Sequence, residues 1–161
     1  MVNRNHKLIL DINGIKVLEE IVDYGIKYTF LDGDNKVTLG LTEFSFDEFY
    51  SYSKEFGSFK EYDIMKSYEV RTITGFDWEI EFGKDRPNVK RFFKVFEILG
   101  KRYAKLFKPD IIYYSYEDER IHRSDKRWIM EGGYELVHEG NLEEDKVAIY
   151  YKDHKEKNDE I

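Results

Sequence analysis

The stretch RFFKVFEILGKRYAKLFKPDIIYYSY, residues 91 to 116, decides the fold class because it sets two periods side by side. Phe92, Val95, Phe96, Leu99, Tyr103 and Leu106 recur three or four residues apart, which gathers them on one stripe of an amphipathic helix. Pro109 ends that helix, since it has no N–H and its ring clashes with the preceding turn. Ile111 to Tyr116 is then almost continuously apolar or aromatic, the pattern of a central strand buried on both faces. A long helix feeding a central strand, with hairpins on either side, predicts an α+β domain with a mixed, mostly antiparallel sheet.

Downstream, Glu119 to Glu131 reads as a second helix closed by Gly132-Gly133. Tyr134 to Val137 and Val147 to Tyr151 read as a hairpin across Glu139-Gly140-Asn141. Upstream of a polar break at residues 83 to 88, Phe76, Trp78, Ile80 and Phe82 alternate with Asp77, Glu79 and Glu81. That alternation predicts a strand with one core face and one wet face, hairpinned to Tyr68 to Ile73 around Thr74-Gly75. Ser45-Phe46-Asp47-Glu48 has the capping-box form and predicts a helix lined by Phe46, Phe49, Tyr50 and Phe56, stopping at Gly57. Ile26 to Leu31 and Lys36 to Leu41 flank Asp32-Gly33-Asp34-Asn35, a turn of residues that tolerate positive φ, and predict a hairpin. At the start, residues 7 to 10 predict a short strand and Asn13-Gly14 a turn. Ile15, Leu18, Ile21 and Val22 predict a short helix ending at Gly25.

At 161 residues the chain can bury one core, expected to span residues 1 to 152, with a charged tail over 153 to 161 too poor in apolar area to order itself. Aromatic residues make up 17% of the chain, so large rings must fill much of the interior. The net charge of -7, from 33 acidic and 26 basic residues, disfavours a phosphate-backbone ligand. With no cysteine, disulfides, thiolate nucleophiles and sulfur-ligated metals are excluded. No apolar run approaches the ~20 residues of a membrane span or forms a signal peptide, so a cytoplasmic location and no membrane partner are expected.

Three segments carry a family likeness: Pro109-Asp110-Ile111-Ile112-Tyr113-Tyr114-Ser115, the helix holding Arg120, and Gly133-Tyr134-Glu135-Leu136-Val137 leading to Ile149-Tyr150-Tyr151-Lys152. Over about residues 68 to 152 they resemble the GNAT superfamily of acyl-CoA-dependent N-acetyltransferases. They look still more like small bacteriophage proteins with a GNAT-like half-fold, where Val95-Phe96 matches a further element. The resemblance implies acetyl-CoA, its pyrophosphate cradled by a Gln/Arg-x-x-Gly-x-Gly/Ala loop at a helix N-terminus. Here the corresponding junction, residues 83 to 90, offers one glycine, an acidic Asp85 and the donorless Pro87; Lys84 and Arg86, with Lys90 and Arg91, could meet an anion by charge alone. The tyrosine that acts as general acid in many such enzymes would fall at Ser124, which cannot replace it.

Among other residues, His6, His122, His138 and His154 have no metal-site spacing and read as surface residues, so no metal is expected. The acidic stretches at 117 to 119 and 131 to 144 read as solvated turns. Tyr50 and Tyr52, with Tyr114 and Tyr116, are the best candidates for contact with a protein partner, since tyrosine combines contact area with a polar tip. The expectation is therefore a small accessory protein, phage-encoded and acting on a host protein, with no cofactor and no acyltransferase activity. The alternatives are an acetyl-CoA-dependent N-acyltransferase with an atypical CoA site, bound through Lys84 and Arg86, and an acidic nucleic-acid mimic.

Overall fold

The computed structural model describes residues 6–56 and 60–154. Its eight strands are β1 (Lys7–Ile12), β2 (Ile15–Val22), β3 (Gly25–Asp32), β4 (Asn35–Ser45), β5 (Thr72–Glu81), β6 (Ile111–Tyr116), β7 (Glu135–Leu142) and β8 (Asp145–Tyr151). The helices are α1 (Phe46–Phe56), α2 (Lys60–Met65), α3 (Val89–Phe107) and α4 (Glu119–Glu131). The strands form one sheet in the order β1-β2-β3-β4-β5-β6-β8-β7. Neighbours are antiparallel except β5 and β6, which α3 joins in parallel. The sheet is thus mixed and mostly antiparallel, and the fold is α+β.

The N-terminal hairpins place Val17, Tyr28, Phe30, Leu39 and Leu41 under the α3 stripe of Phe92, Phe96, Leu99 and Tyr103. On β6, Ile112 and Tyr114 turn toward α4, whereas Ile111 joins Phe49, Met65 and Ile149 beneath α1 and α2. Successive residues therefore serve opposite faces, as the pleat requires. The α1 capping box forms reciprocally: Glu48 N–H donates to Ser45 Oγ at 3.2 Å, and Ser45 N–H donates to Glu48 Oε1 at 3.1 Å. Helix α3 starts at Asn88, whose side chain accepts from Arg91 N–H, and closes at Lys108 in the left-handed conformation (φ 46).

Three local expectations are corrected. Residues 15 to 22 form β2, not a helix: Val17, Glu19 and Ile21 alternate inward. A fully buried glutamate disguised the period, and it is tolerated because Arg102, Tyr28 (2.9 Å) and His6 (3.2 Å) satisfy its carboxylate. Residues 72 to 81 form one unbroken strand instead of turning at Thr74-Gly75, because the 11-residue β4 pairs along its whole length. The last hairpin turns at Glu143, in positive φ, and not across Glu139 to Asn141; β7 runs on through a bulge between Leu136 and His138. The expected charged tail falls, from residue 155 onward, outside the described residues, as does the Gly57 helix stop.

Candidate functional site

Strands β5 and β6 pair only at Ile73↔Ile111, Thr74↔Ile112 and Gly75↔Tyr113. Beyond Gly75, β5 follows β4 while β6 follows β8, so the two parallel strands part. Gly75 marks the point of parting: a Cβ there would stand 2.9 Å from the Tyr113 ring, which would have to move aside to admit it. The gap is a cleft of about 410 Å³ walled by the rings of Phe76, Trp78, Tyr114 and Tyr116. Its lining also holds five carboxylates, Asp77, Glu117, Asp118, Asp125 and Asp145, and no lysine or arginine among the described residues. Trp78, expected on a core face, is 37% exposed because its ring faces this gap.

Helix α4 supplies the cleft's inner chemistry. Asp118 caps it by accepting from Arg120 N–H, which fixes the helix so that His122, Asp125, Trp128 and Ile129 turn inward. His122, read from the sequence as a surface residue, is instead 2% exposed. Its ring stacks on Tyr116 with centroids 3.9 Å apart. Its Nδ1 lies 2.8 Å from the Tyr114 hydroxyl, which is also 2.8 Å from the Tyr150 hydroxyl, and its Nε2 meets Glu139. Hydrogen bonds from His122 and Lys126 hold the Glu139 carboxylate below its ordinary pKa, so Glu139 is an ionised acceptor. With Glu139 ionised, His122 Nε2 is the donor of that pair, and Nδ1 and the Tyr114 hydroxyl form the next link. Burial pushes the Tyr114 phenol far above its ordinary value, which keeps it protonated. The result is a hydrogen-bonded line from Tyr150 through Tyr114 and His122 to Glu139 at the surface.

Asp125 is the second unusual group. It is 5% exposed and accepts one hydrogen bond, from Trp128 Nε1 at 3.0 Å. Burial raises its pKa from 3.8 to about 7, with the Trp128 contact opposing that shift. A carboxyl poised at neutral pH on the wall of a cleft can take up and release a proton under working conditions.

The residues singled out by sequence lie apart. Tyr50 and Tyr52 are exposed on α1, on one side of the sheet, while Tyr114 and Tyr116 stand on the α4 side at the cleft. Lys84 and Arg86 are exposed on the loop between β5 and α3. That loop is already filled. Lys84 N–H and Asp85 N–H donate to the two oxygens of Asp34 at 2.6 and 2.8 Å, Gly83 N–H to Asn35 Oδ1 at 2.9 Å, and Asn88 N–H to Asp32 Oδ2 at 2.9 Å. These donations hold Asp34 below the ordinary carboxylate range. The tight β3–β4 turn thus places side chains of its own where a phosphate would need backbone donors, and the residues present do not fit a pyrophosphate at the start of α3. Sequence reading missed His122, Asp125 and Glu139; the one available signal was the inward spacing of residues 122, 125, 128 and 129 on α4.

No protein family's sequence profile matches the chain, and no curated protein matches it. Two solved structures resemble it in fold. One is the Drosophila melanogaster polyamine N-acetyltransferase, an enzyme that catalyses formation of N-acetylagmatine: 8% identical, TM-score 0.46, covering 77% of this chain and 72% of that one. The other is a ligand-free variant of an agmatine N-acetyltransferase: 7% identical, TM-score 0.46, with the same 77% and 72% coverage. Both are acetyltransferases, which runs against the expectation of a non-catalytic accessory protein. The likeness itself describes the fold and assigns this chain no substrate.

Proposed function

We propose that this protein is an N-acyltransferase whose acceptor is a small cationic amine held in the β5–β6 cleft. One observation carries the reading: an aromatic, wholly acidic cleft with Asp125 poised near neutrality on its wall. Carboxylates and ring faces both attract an ammonium group. The protonated amine has no lone pair with which to attack an acyl carbon, so a base must remove a proton first, and a base of pKa near 7 does this best at neutral pH. Asp125 is that base. As the amine nitrogen bonds to the acyl carbon, the bond to the leaving group breaks, and the second proton that the nitrogen must shed passes to that group. The Tyr114 hydroxyl, held between His122 and Tyr150 and kept protonated by burial, lines the cleft beside this centre without giving up its proton. The acyl donor is held elsewhere than the β5–α3 loop, whose backbone donors Asp34, Asn35 and Asp32 occupy.

The test pairs binding with turnover. Agmatine and spermidine are titrated by calorimetry, and the protein is incubated with each amine and acetyl-CoA while acylated amine is followed by mass spectrometry. Saturable amine binding that is lost in Asp125→Asn, together with an acylated product, is expected. Absence of both binding and product across the amines would refute the reading.

A further inference from the structure

A second concavity lies between the C-terminal halves of α3 and α4 and is roofed by β1. It is a groove of about 960 Å³. Leu10, Ile12, Ile98, Leu106 and Tyr134 give it an apolar floor, and Leu106 is 43% exposed although it belongs to the α3 stripe. Its rim has the opposite charge from the rest of the protein. Lys101, Arg102, Lys105, Lys108 and Lys152 face it against Asp11 and Glu131 only, in a chain whose net charge is -7.

Pairing decides how much of that charge is effective. Lys101 pairs with Glu97 and Glu131, Arg102 with Glu19, and Asp11 with Lys16, so these largely cancel. Lys105 and Lys108 have no ion-pair partner within 4.0 Å among the described residues, and Lys152 donates to the Gly132 carbonyl at 2.8 Å. The carbonyl ends of α3 and α4 oppose them with roughly half a negative charge each. Lys105 and Lys108 together thus leave a surplus of about one positive charge once the two helix ends are counted. A neutral apolar ligand would not use that surplus, and a cation would be repelled by it.

We propose that this groove binds a straight-chain aliphatic carboxylate, its tail along the floor from Ile98 to Leu106 and its head at Lys105 and Lys108. The eight-residue advance from Ile98 to Leu106 spans about 12 Å of helix, a length that suits a medium-length chain. The site is independent of the acidic cleft, which would repel the same head group.

A homologous series tests this by two readouts at once. Octanoate, decanoate and dodecanoate are titrated below their micelle concentrations, followed by calorimetry and by the fluorescence of Trp128, which lines the groove. Each added methylene that is buried tightens binding about fourfold, so dodecanoate should bind roughly 15-fold tighter than decanoate. Lys105→Glu with Lys108→Glu, both exposed and outside the core, should weaken dodecanoate at least tenfold, while Lys36→Glu on β4 leaves it unchanged. Affinity independent of chain length, equal affinity for dodecanol, or indifference to the double substitution would each overturn the proposal. So would dodecyl phosphate binding more than tenfold tighter than dodecanoate, since the site would then be one for a phosphate.

Discussion

Replacing Asp125 with asparagine should stabilise the protein and abolish its reaction, and the size of the stabilisation follows from one carboxyl. Its folded pKa of about 7 lies above the value of 3.8 for a free carboxyl, so the folded chain binds this proton more tightly than the unfolded chain. Stability from this group is complete below pH 3.8 and is lost as pH rises through about 7. Each pKa unit corresponds to about 1.4 kcal/mol, so a shift of roughly three units makes an ionised Asp125 cost up to about 4 kcal/mol at pH 8. At pH 5 the same linkage costs only about 1–2 kcal/mol, so the wild type should lose roughly 2–3 kcal/mol relative to Asp125→Asn between pH 5 and pH 8. Asparagine keeps an oxygen to accept from Trp128 Nε1, so packing changes little. For a chain of this size each kcal/mol moves Tm by about 2–4 °C, giving a Tm for the variant on the order of 5–15 °C higher at pH 8. Thermal unfolding of both proteins at pH 5, 6, 7 and 8 measures it. A difference that stays flat across that range, or a variant less stable at pH 8, would refute the claim that burial holds a proton on this group.

Phe96→Ala should lower stability by ~3–5 kcal/mol in urea unfolding, because Phe96 packs against Phe30, Phe92 and Trp78 with ring centroids 6.4, 6.4 and 5.9 Å away. Tyr114→Phe removes the hydroxyl that joins His122 to Tyr150 and should destabilise by about 1–3 kcal/mol. The same variant keeps the ring on the cleft wall and should still bind agmatine by calorimetry; loss of that binding would show that the hydroxyl itself shapes the cleft. Gly75→Ala drives a methyl group into the Tyr113 ring at 2.9 Å and should cost roughly 1–3 kcal/mol, read from chemical unfolding at fixed pH.

Much of the architecture was legible from local pattern. The helices at 89–107 and 119–131, the α1 capping box, the Asp32–Asn35 turn and the central β6 strand all depend on residues close in sequence, so period, caps and breakers identify them. The misread elements were those where a distant partner decided. Residues 15 to 22 fit a helical spacing until Arg102, 83 positions away, satisfies Glu19 and lets a carboxylate occupy an inward strand position. Thr74-Gly75 looked like a turn until β4 paired straight past it.

The site was legible least of all. Tyr114 and Tyr116 could be named from their own segment, but a histidine that the sequence treats as solvated becomes part of a hydrogen-bonded line only when β6, α4, β7 and β8 converge. The Asp34 carboxylate reaches the β5–α3 loop from 50 residues away, which neither the glycine pattern nor the charge of that loop reveals. Residue types and local periods are properties of the chain itself and set its helices, turns and charge. Protonation, burial and the separation of β5 from β6 depend on which groups lie within a few ångströms in space, and only the tertiary structure brings those groups together.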